Sequence, residues 1–119
     1  MAQLTDPVRL LKFKEALSNW QYSGYINYSR MSDAWIRGNL TKCNLLTIGK
    51  LLYEYFVDKG GHIDEVAETR EEWKDKWDYH HDLRPLFRGK LLYVETRLCY
   101  NPFEFDKEPT IFVANVHWA

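Results

Sequence analysis

The chain has 119 residues, of which 45% are hydrophobic and 28% are charged, and its formal net charge at pH 7 is −1. This length and composition predict a single globular domain over residues 1–119, large enough to fold around a core without disulfides or metal. The near-neutral charge excludes the broad basic surface of sequence-tolerant nucleic-acid binders, and the two isolated cysteines exclude a zinc motif or a disulfide framework. No basic leader or long apolar run is present, so we expect a cytoplasmic protein that does not bind membranes.

The N-terminal half predicts helices. Asp6-Pro7 is typical of a helix start, and apolar residues recur at helical spacing from there to about residue 19. Residues 25–28 follow as a short strand or an extended lead-in. A short second helix is then expected, capped by Ser29 or Ser32 and ending at Gly38.

The clearest helix is expected to be capped by Thr41 and to end at the glycine pair 60–61. Its apolar stripe consists of Leu45, Ile48, Leu51, Leu52, Tyr55 and Phe56. The next segment is ambiguous, because residues 63–70 are compatible with a strand and residues 68–76 with a short charged helix. The charge run over residues 70–76 is interpreted as a solvated face.

The last third of the chain predicts an antiparallel meander of three strands. Segments 79–87, 91–98 and 110–118 alternate polar and apolar residues, as strands with one buried face do. A two-residue turn with Gly89 first fits a type II′ hairpin, and a three-residue loop with Gly89 in the left-handed conformation is the alternative. Helices followed by strands indicate an α+β fold, with N-terminal helices packed on a C-terminal antiparallel sheet of three or more strands.

The type II′ turn sets one register for the first two strands. In this register Arg84 faces Glu95 and Asp82 faces Arg97, so that opposite charges meet on one face. The apolar residues of both strands then share the other face, with His81 at its end. These residues are Leu83, Phe87, Leu92, Val94 and Leu98.

The third strand is expected to turn its wholly apolar side to the core. That side consists of Phe112, Ala114, Val116 and Trp118. Asn115 and His117 then join the charged face of the sheet. The candidate site on this face comprises His80, Asp82, Arg84, Tyr93, Glu95, Arg97, Asn115 and His117.

These side chains are the types that RNA cleavage without a metal requires. Glu95 is the predicted base for the 2′-hydroxyl proton, and His117 is the predicted acid for the 5′-oxygen. Arg84 and Arg97 are predicted to stabilise the negatively charged phosphorane. The substrate-binding residues are predicted to be His80, Asp82, Tyr93 and Asn115. The simpler alternative is that the charged pairs only hold the strand register.

A family resemblance rests on Arg84 and on segments 89–94 and 111–117, which look like the two central strands of RelE-like, barnase-related ribonuclease toxins. The chain most resembles the branch that contains the motility and quorum-sensing regulator toxins and the colicin D-like domains. The resemblance covers about half of the chain and lies in its pattern. It implies metal-independent cleavage of mRNA, with RNA as the substrate and an antitoxin as a protein partner.

Two other functions fit the same residues. His80, Asp82 and His117 form a conceivable metal-ligand set, although no paired ligand motif supports it. A non-catalytic interaction module, such as an immunity or adaptor protein, is the alternative, because mixed charges and aromatic residues suit a protein interface. The long segment 99–109 is expected to cover the charged face or to contact a partner. The chain has no motif of a cofactor site, so we expect no cofactor.

Overall fold

The computed structural model describes residues 2–100 and 107–119, and it confirms the predicted α+β class. The helices are α1 (Pro7–Ser18), α2 (Arg30–Asn39) and α3 (Leu45–Tyr53), and α3 continues into a π-helical turn, Glu54–Asp58. The strands are β1 (Ala2–Gln3), β2 (Ile26–Tyr28), β3 (Ile63–Ala67), β4 (Tyr79–Leu83), β5 (Leu86–Phe87), β6 (Lys90–Cys99) and β7 (Thr110–Trp118). Most of the segment 99–109, for which we predicted a covering or partner-binding role, lies outside the described residues.

Side-chain caps start the helices. Asp6 Oδ1 accepts hydrogen bonds from two backbone N–H groups of the first turn of α1, at 2.9 and 3.0 Å, as predicted. Ser29 caps α2 in the same way, which decides between the two predicted caps. The predicted cap of the third helix, Thr41, is wrong, because Asn44 caps α3 instead. Lys42 adopts a positive φ of 56°, and this left-handed residue prevents a helix from continuing through it.

The sheet is larger than the predicted meander, with strand order β1-β3-β4-β6-β7-β2 and β5 paired to β6. Residues 26–28 form a strand that pairs parallel with β7, while the other pairs in the sheet are antiparallel. Residues 63–67 also form a strand, and the alternative helix over 68–76 is replaced by turns. The N-terminal half therefore contributes to both edges of the sheet.

The hairpin turn between β5 and β6 differs from the predicted one. Arg88 and Gly89 both have positive φ, 51° and 84°, and Phe87 pairs with Lys90. A two-residue turn with positive φ at both central positions is type I′, so Gly89 occupies its second position and not the first. The type II′ turn was therefore the wrong prediction.

The turn changes which residues face one another across β4 and β6. Asp82 lies opposite Glu95, so the predicted cross-strand pairs Arg84–Glu95 and Asp82–Arg97 are wrong. The register differs from the predicted one by two residues, and side chains alternate with a period of two. Each side chain of β4 and β6 consequently keeps the face that the sequence assigned to it.

A β-bulge in β7 reverses part of the predicted third strand. Glu95 pairs with Asn115 whereas Thr96 pairs with Val113, so Ala114 is an extra residue on β7. Before the bulge, Ile111 and Val113 are 1% and 0% exposed in the core, and the prediction that Phe112 faces the core is wrong. After the bulge, Val116 is in the core and Asn115 and His117 lie on the charged side, as predicted, whereas Trp118 is 38% exposed and outside the core.

The helices cover one face of the sheet, which we call the helix face. The core beneath them contains Phe13, Leu17, Ile36, Ile48 and Leu52 from the helices and Leu83, Leu92, Val94, Val113 and Val116 from the strands. The opposite side of β4, β6 and β7 bears the candidate site, and we call it the polar face. In the described part of the chain, no helix combines the length and the apolar character needed to cross a membrane.

Candidate functional site

The residues predicted for the site all lie on the polar face, arranged in rows that run across β4, β6 and β7. The outer row contains Arg84, Tyr93 and His117; the middle row contains Asp82, Glu95 and Asn115; the inner row contains His80, Arg97 and Phe112. The two-residue spacing along each strand separates the rows. The face of each of the eight candidate residues was predicted correctly, and the rows follow from the register that the structure establishes.

The outer row is an aromatic stack beside an arginine. The Tyr93 and His117 rings are stacked, with centroids 4.6 Å apart and an angle of 22° between their planes. The Arg84 guanidinium carbon lies 5.4 Å from the centroid of the Tyr93 ring. Arg84 also forms an ion pair with Asp64 of β3, a residue that the sequence did not assign to the site.

His117 is exposed, and its tautomer follows from its contacts. Its Nδ1 atom lies 2.8 Å from the backbone carbonyl oxygen of Trp118. Because a carbonyl only accepts hydrogen bonds, Nδ1 carries a hydrogen, and Nε2 is the ring nitrogen outside this contact. The chemistry of this row therefore centres on His117 Nε2.

Asp82 joins the outer row to the inner row. It is only 2% exposed, and its Oδ1 atom lies 2.8 Å from His80 Nδ1. Burial and the neighbouring Asp82 carboxylate, which accepts a hydrogen bond from Tyr93, raise the pKa of the Tyr93 hydroxyl. Tyr93 consequently stays protonated, and its ring is held in place beside His117.

Glu95 and Arg97 belong to a buried network with Glu68 and Arg70. Arg97 donates hydrogen bonds to Glu68 Oε2 at 2.6 Å and to Glu95 Oε2 at 2.8 Å. Arg70 donates to Glu95 Oε2 at 2.6 Å and to Glu68 Oε1 at 2.9 Å. The network alternates two carboxylates with two guanidinium groups, so its charges compensate one another.

The arginines set the ionisation of both glutamates. The hydrogen bond from Arg70 is the main cause that lowers the pKa of Glu68 to about 2. Burial raises the pKa of Glu95, but hydrogen bonds from Arg70 and Arg97 outweigh burial and lower it. Both carboxylates are therefore ionised at neutral pH and are weak proton acceptors.

A turn segment, residues 71–76, covers this network. The Trp73 ring lies 5.3 Å from the Arg97 guanidinium carbon and 6.3 Å from the Phe112 ring. Arg97 is 0% exposed and Glu95 is 4% exposed. A substrate phosphate therefore has no access to Arg97 in this arrangement, and the catalytic roles predicted for Glu95 and Arg97 stay predictions.

Sequence reasoning missed Glu68 and Arg70, since it placed Arg70 in a solvated charge run. Arg70 is half-buried, and the side chain of Glu68 is 1% exposed. One signal was present: Glu68 continues the alternation of Asp64 and Val66, which lie on the polar side of β3. Extending the strand by one step would have placed Glu68 on the polar face.

The polar face also contains one group of potential metal ligands among the described residues. His80, Asp82 and Glu95 each offer a ligand atom, and these atoms lie within 4.8 Å of one another. Glu95 Oε2 is already bound by two guanidinium groups, which compete with a cation for this carboxylate. The ligand set considered from the sequence is not assembled, because His117 lies in the outer row, across β6 from His80.

The chain matches no protein-family model, no curated protein and no solved structure. The resemblance to RelE-like and barnase-related ribonuclease toxins therefore stays a prediction. The function has to be argued from the geometry and chemistry of the site itself.

Proposed function

We propose that the outer row of the polar face binds RNA and cleaves its backbone without a metal ion. The observation that carries this proposal is the stack of the exposed His117 ring on the half-buried Tyr93 ring, beside the Arg84 guanidinium. The stack places an aromatic surface, a cation and an exposed imidazole next to one another, which are the elements that a single-stranded RNA site requires.

Each residue of the row has a separate role in the proposal. A base of the RNA stacks on the aromatic pair, and Arg84 contacts the adjacent phosphate with its guanidinium group. In its protonated form, His117 gives the Nε2 proton to the 5′-oxygen as the P–O5′ bond breaks. The 2′-oxygen forms the new bond to phosphorus and gives its proton to water, so the products are a 2′,3′-cyclic phosphate and a 5′-hydroxyl.

In this proposal the middle and inner rows form the support of the site. Asp82 bonds the Tyr93 hydroxyl and His80, and the network around Arg97 fixes the strand that carries Tyr93. Asn115 lies between Glu95 and the edge of the sheet, where its amide can contact the RNA. Residues that are locked by packing and hydrogen bonds hold a reactive group in one geometry.

The experiment is cleavage of a mixed-sequence RNA by the purified chain in the presence and absence of EDTA. The test variant is His117→Ala, and the control is Tyr22→Ala, which removes an exposed ring that lines a cleft beside α3. Cleavage that survives EDTA, disappears in His117→Ala and persists in Tyr22→Ala supports the proposal. Absence of cleavage, or cleavage that His117→Ala leaves intact, refutes it.

A second candidate function is binding of a protein partner, as an antitoxin complex, immunity protein or adaptor would require. Leu86 and Leu91 are 61% and 47% exposed, and they flank a cleft of about 250 Å³ that also contains Arg84 and Tyr55. Exposed apolar side chains grouped around a cleft are typical of interfaces. Leu86→Glu is expected to release a co-purifying partner while the fold and RNA cleavage persist.

A further inference from the structure

A separate cleft of about 560 Å³ opens on the helix face, at the far end of β4 from Arg84. The first turn of α1, the residues before β4, the start of β4 and the end of β6 form its walls. Lining residues include Asp6, Arg9, Trp77, Tyr79, His81 and Tyr100. Its volume lies within the range of small-molecule sites.

Unsatisfied nitrogen atoms are concentrated in this cleft. In the described part of the chain, four buried side-chain nitrogens have no hydrogen-bond partner, and three of them belong to residues that line the cleft. These three are Arg9 Nε, Trp77 Nε1 and His81 Nδ1, and His81 as a whole is only 4% exposed. Buried polar atoms are nearly always hydrogen-bonded in folded proteins, so their grouping indicates a missing ligand.

The chemistry of the three atoms defines what the ligand must offer. Arg9 Nε and Trp77 Nε1 carry hydrogens and can only donate. His81 Nε2 lies 3.1 Å from the Glu65 carboxylate, so Nε2 carries the hydrogen of the ring. Burial lowers the pKa of His81, which keeps the ring neutral and leaves Nδ1 as an acceptor. The cleft thus lacks partners for two donors and one acceptor.

Aromatic walls add a second requirement. The Tyr79 and Tyr100 rings are 38% and 36% exposed. The Arg9 guanidinium carbon lies 5.4 Å from the centroid of Tyr79, and Lys12 Nζ lies 4.8 Å from the centroid of Tyr100. Partly exposed rings backed by cations favour a flat aromatic ligand. The three nitrogens are themselves buried, so a ligand contacts them only after neighbouring side chains move.

We propose that this cleft binds a pyrimidine base. Uracil offers two carbonyl acceptors and one N–H donor on its pairing edge, and cytosine offers two acceptors and one amino donor. Either edge can satisfy two donors and one acceptor, whereas the pairing edges of adenine and guanine offer one acceptor each and leave a protein donor unsatisfied. The ring stacks on Tyr79 or Tyr100, as bases do on aromatic side chains.

The inference is independent of the proposed ribonuclease, because the cleft and the Tyr93–His117 stack lie on opposite faces of the sheet. The base can belong to a free nucleoside or to an RNA chain, which present the same edge. Uridine and a short oligouridine are therefore both used as probes. A failure of one proposal is separable from a failure of the other, because the cleft is tested by binding of uridine to Trp77→Phe and the ribonuclease by cleavage of RNA in His117→Ala.

The test is calorimetric titration of the whole chain with uridine, cytidine, adenosine and guanosine. The variant Trp77→Phe keeps the aromatic ring and removes its N–H donor, and Trp118→Phe is the matched control outside the cleft. We expect the pyrimidine nucleosides to bind roughly tenfold more tightly than the purine nucleosides. Trp77→Phe should weaken the binding of the pyrimidine nucleosides by a similar factor, as loss of one buried hydrogen bond does. Trp118→Phe should change nothing.

Several results would overturn the inference. They are absence of uridine binding up to its solubility limit, equal affinity for all the nucleosides, and binding that Trp77→Phe leaves unchanged in a folded variant. The indole N–H resonance of Trp77 gives an independent readout, because a new hydrogen bond to an acceptor moves it downfield. If Trp77→Phe weakens the binding of both oligouridine and uridine, the cleft binds a base within RNA. If the wild type binds uridine and not oligouridine, the cleft binds a free nucleoside.

Discussion

Replacing Arg70 with methionine is expected to destabilise the fold in a pH-dependent way. Arg70 donates hydrogen bonds to Glu68 and Glu95, whose side chains are 1% and 5% exposed. The substitution leaves these carboxylates with the Arg97 guanidinium as the remaining cation of the network. Removing one partner from a buried ion pair is costly, because the charge that remains is desolvated and uncompensated.

The size of the effect follows from the ionisation of Glu68. Its pKa is lowered from 4.5 to about 2, chiefly by the hydrogen bond from Arg70. A change of one in a pKa corresponds to about 1.36 kcal/mol, so the lowered pKa of Glu68 is equivalent to roughly 3 kcal/mol of folding free energy at pH 7. A carboxyl group with a lowered folded-state pKa stabilises the fold above its unfolded pKa, and this stabilisation disappears as the pH falls towards the folded pKa.

We therefore expect Arg70→Met to lose roughly 2–3 kcal/mol at pH 7 and only about 1 kcal/mol at pH 3, where the unfolded glutamate is largely protonated. Urea unfolding followed by tryptophan fluorescence measures both values. Arg37→Met is the matched control, because Arg37 forms an ion pair with Asp33 on the surface of α2, with side chains 65% and 37% exposed. Its effect should stay within about 0.5 kcal/mol at either pH.

Two outcomes would show that the reasoning about this network is wrong. One is a loss below about 1 kcal/mol for Arg70→Met at pH 7, which is the range of surface ion pairs. The other is a loss of equal size at pH 7 and pH 3, because it would mean that packing by the arginine stem, and not ionisation of the glutamates, supplies the stability.

Three further substitutions test the local structure by the same unfolding measurement. Gly61→Ala should destabilise the fold by about 1–3 kcal/mol, because an added Cβ would lie 2.6 Å from the Tyr55 ring. The control Gly38→Ala should be neutral or stabilising, because nothing lies within 4 Å of its added Cβ. Equal effects of the two substitutions would contradict the close contact at Gly61. Ile111→Ala should cost about 2–5 kcal/mol if the bulge turns this residue into the core, and a cost below 1 kcal/mol would favour the unbulged strand. Arg88→Asn should stabilise by about 0.5–1 kcal/mol, since asparagine tolerates the positive φ of 51° better, and a loss of stability would argue against the type I′ turn.

Local signals in the sequence were sufficient for the start of α1 and for the faces of β4 and β6. Asp6 caps α1 through the backbone of its own first turn, a contact that needs no distant residue. The assignment of Asp82 and Glu95 to one face also held, because a register error of two residues leaves a period-two pattern unchanged. The sequence alone therefore placed the candidate residues on a common face.

Sequence reasoning failed where a choice depended on contacts between distant segments. Both turn types place Gly89 where it is tolerated, and the choice between them fixes which charges meet. The extra residue in β7 is invisible to an alternation rule, since Ile111 and Phe112 are both apolar and fit either face. The parallel pairing of residues 26–28 with β7 likewise joins segments separated by most of the chain.

The sequence by itself determined that this protein is an α+β fold with its ionisable residues on one face of the sheet. Only the tertiary structure decided that Glu95 and Arg97 are interior residues while Tyr93 and His117 are accessible. The reason is that residues 70–76, between β3 and β4, place Arg70 and Trp73 over one end of the polar face. Such coverage depends on the path of the chain in three dimensions, which no local pattern of residue types encodes.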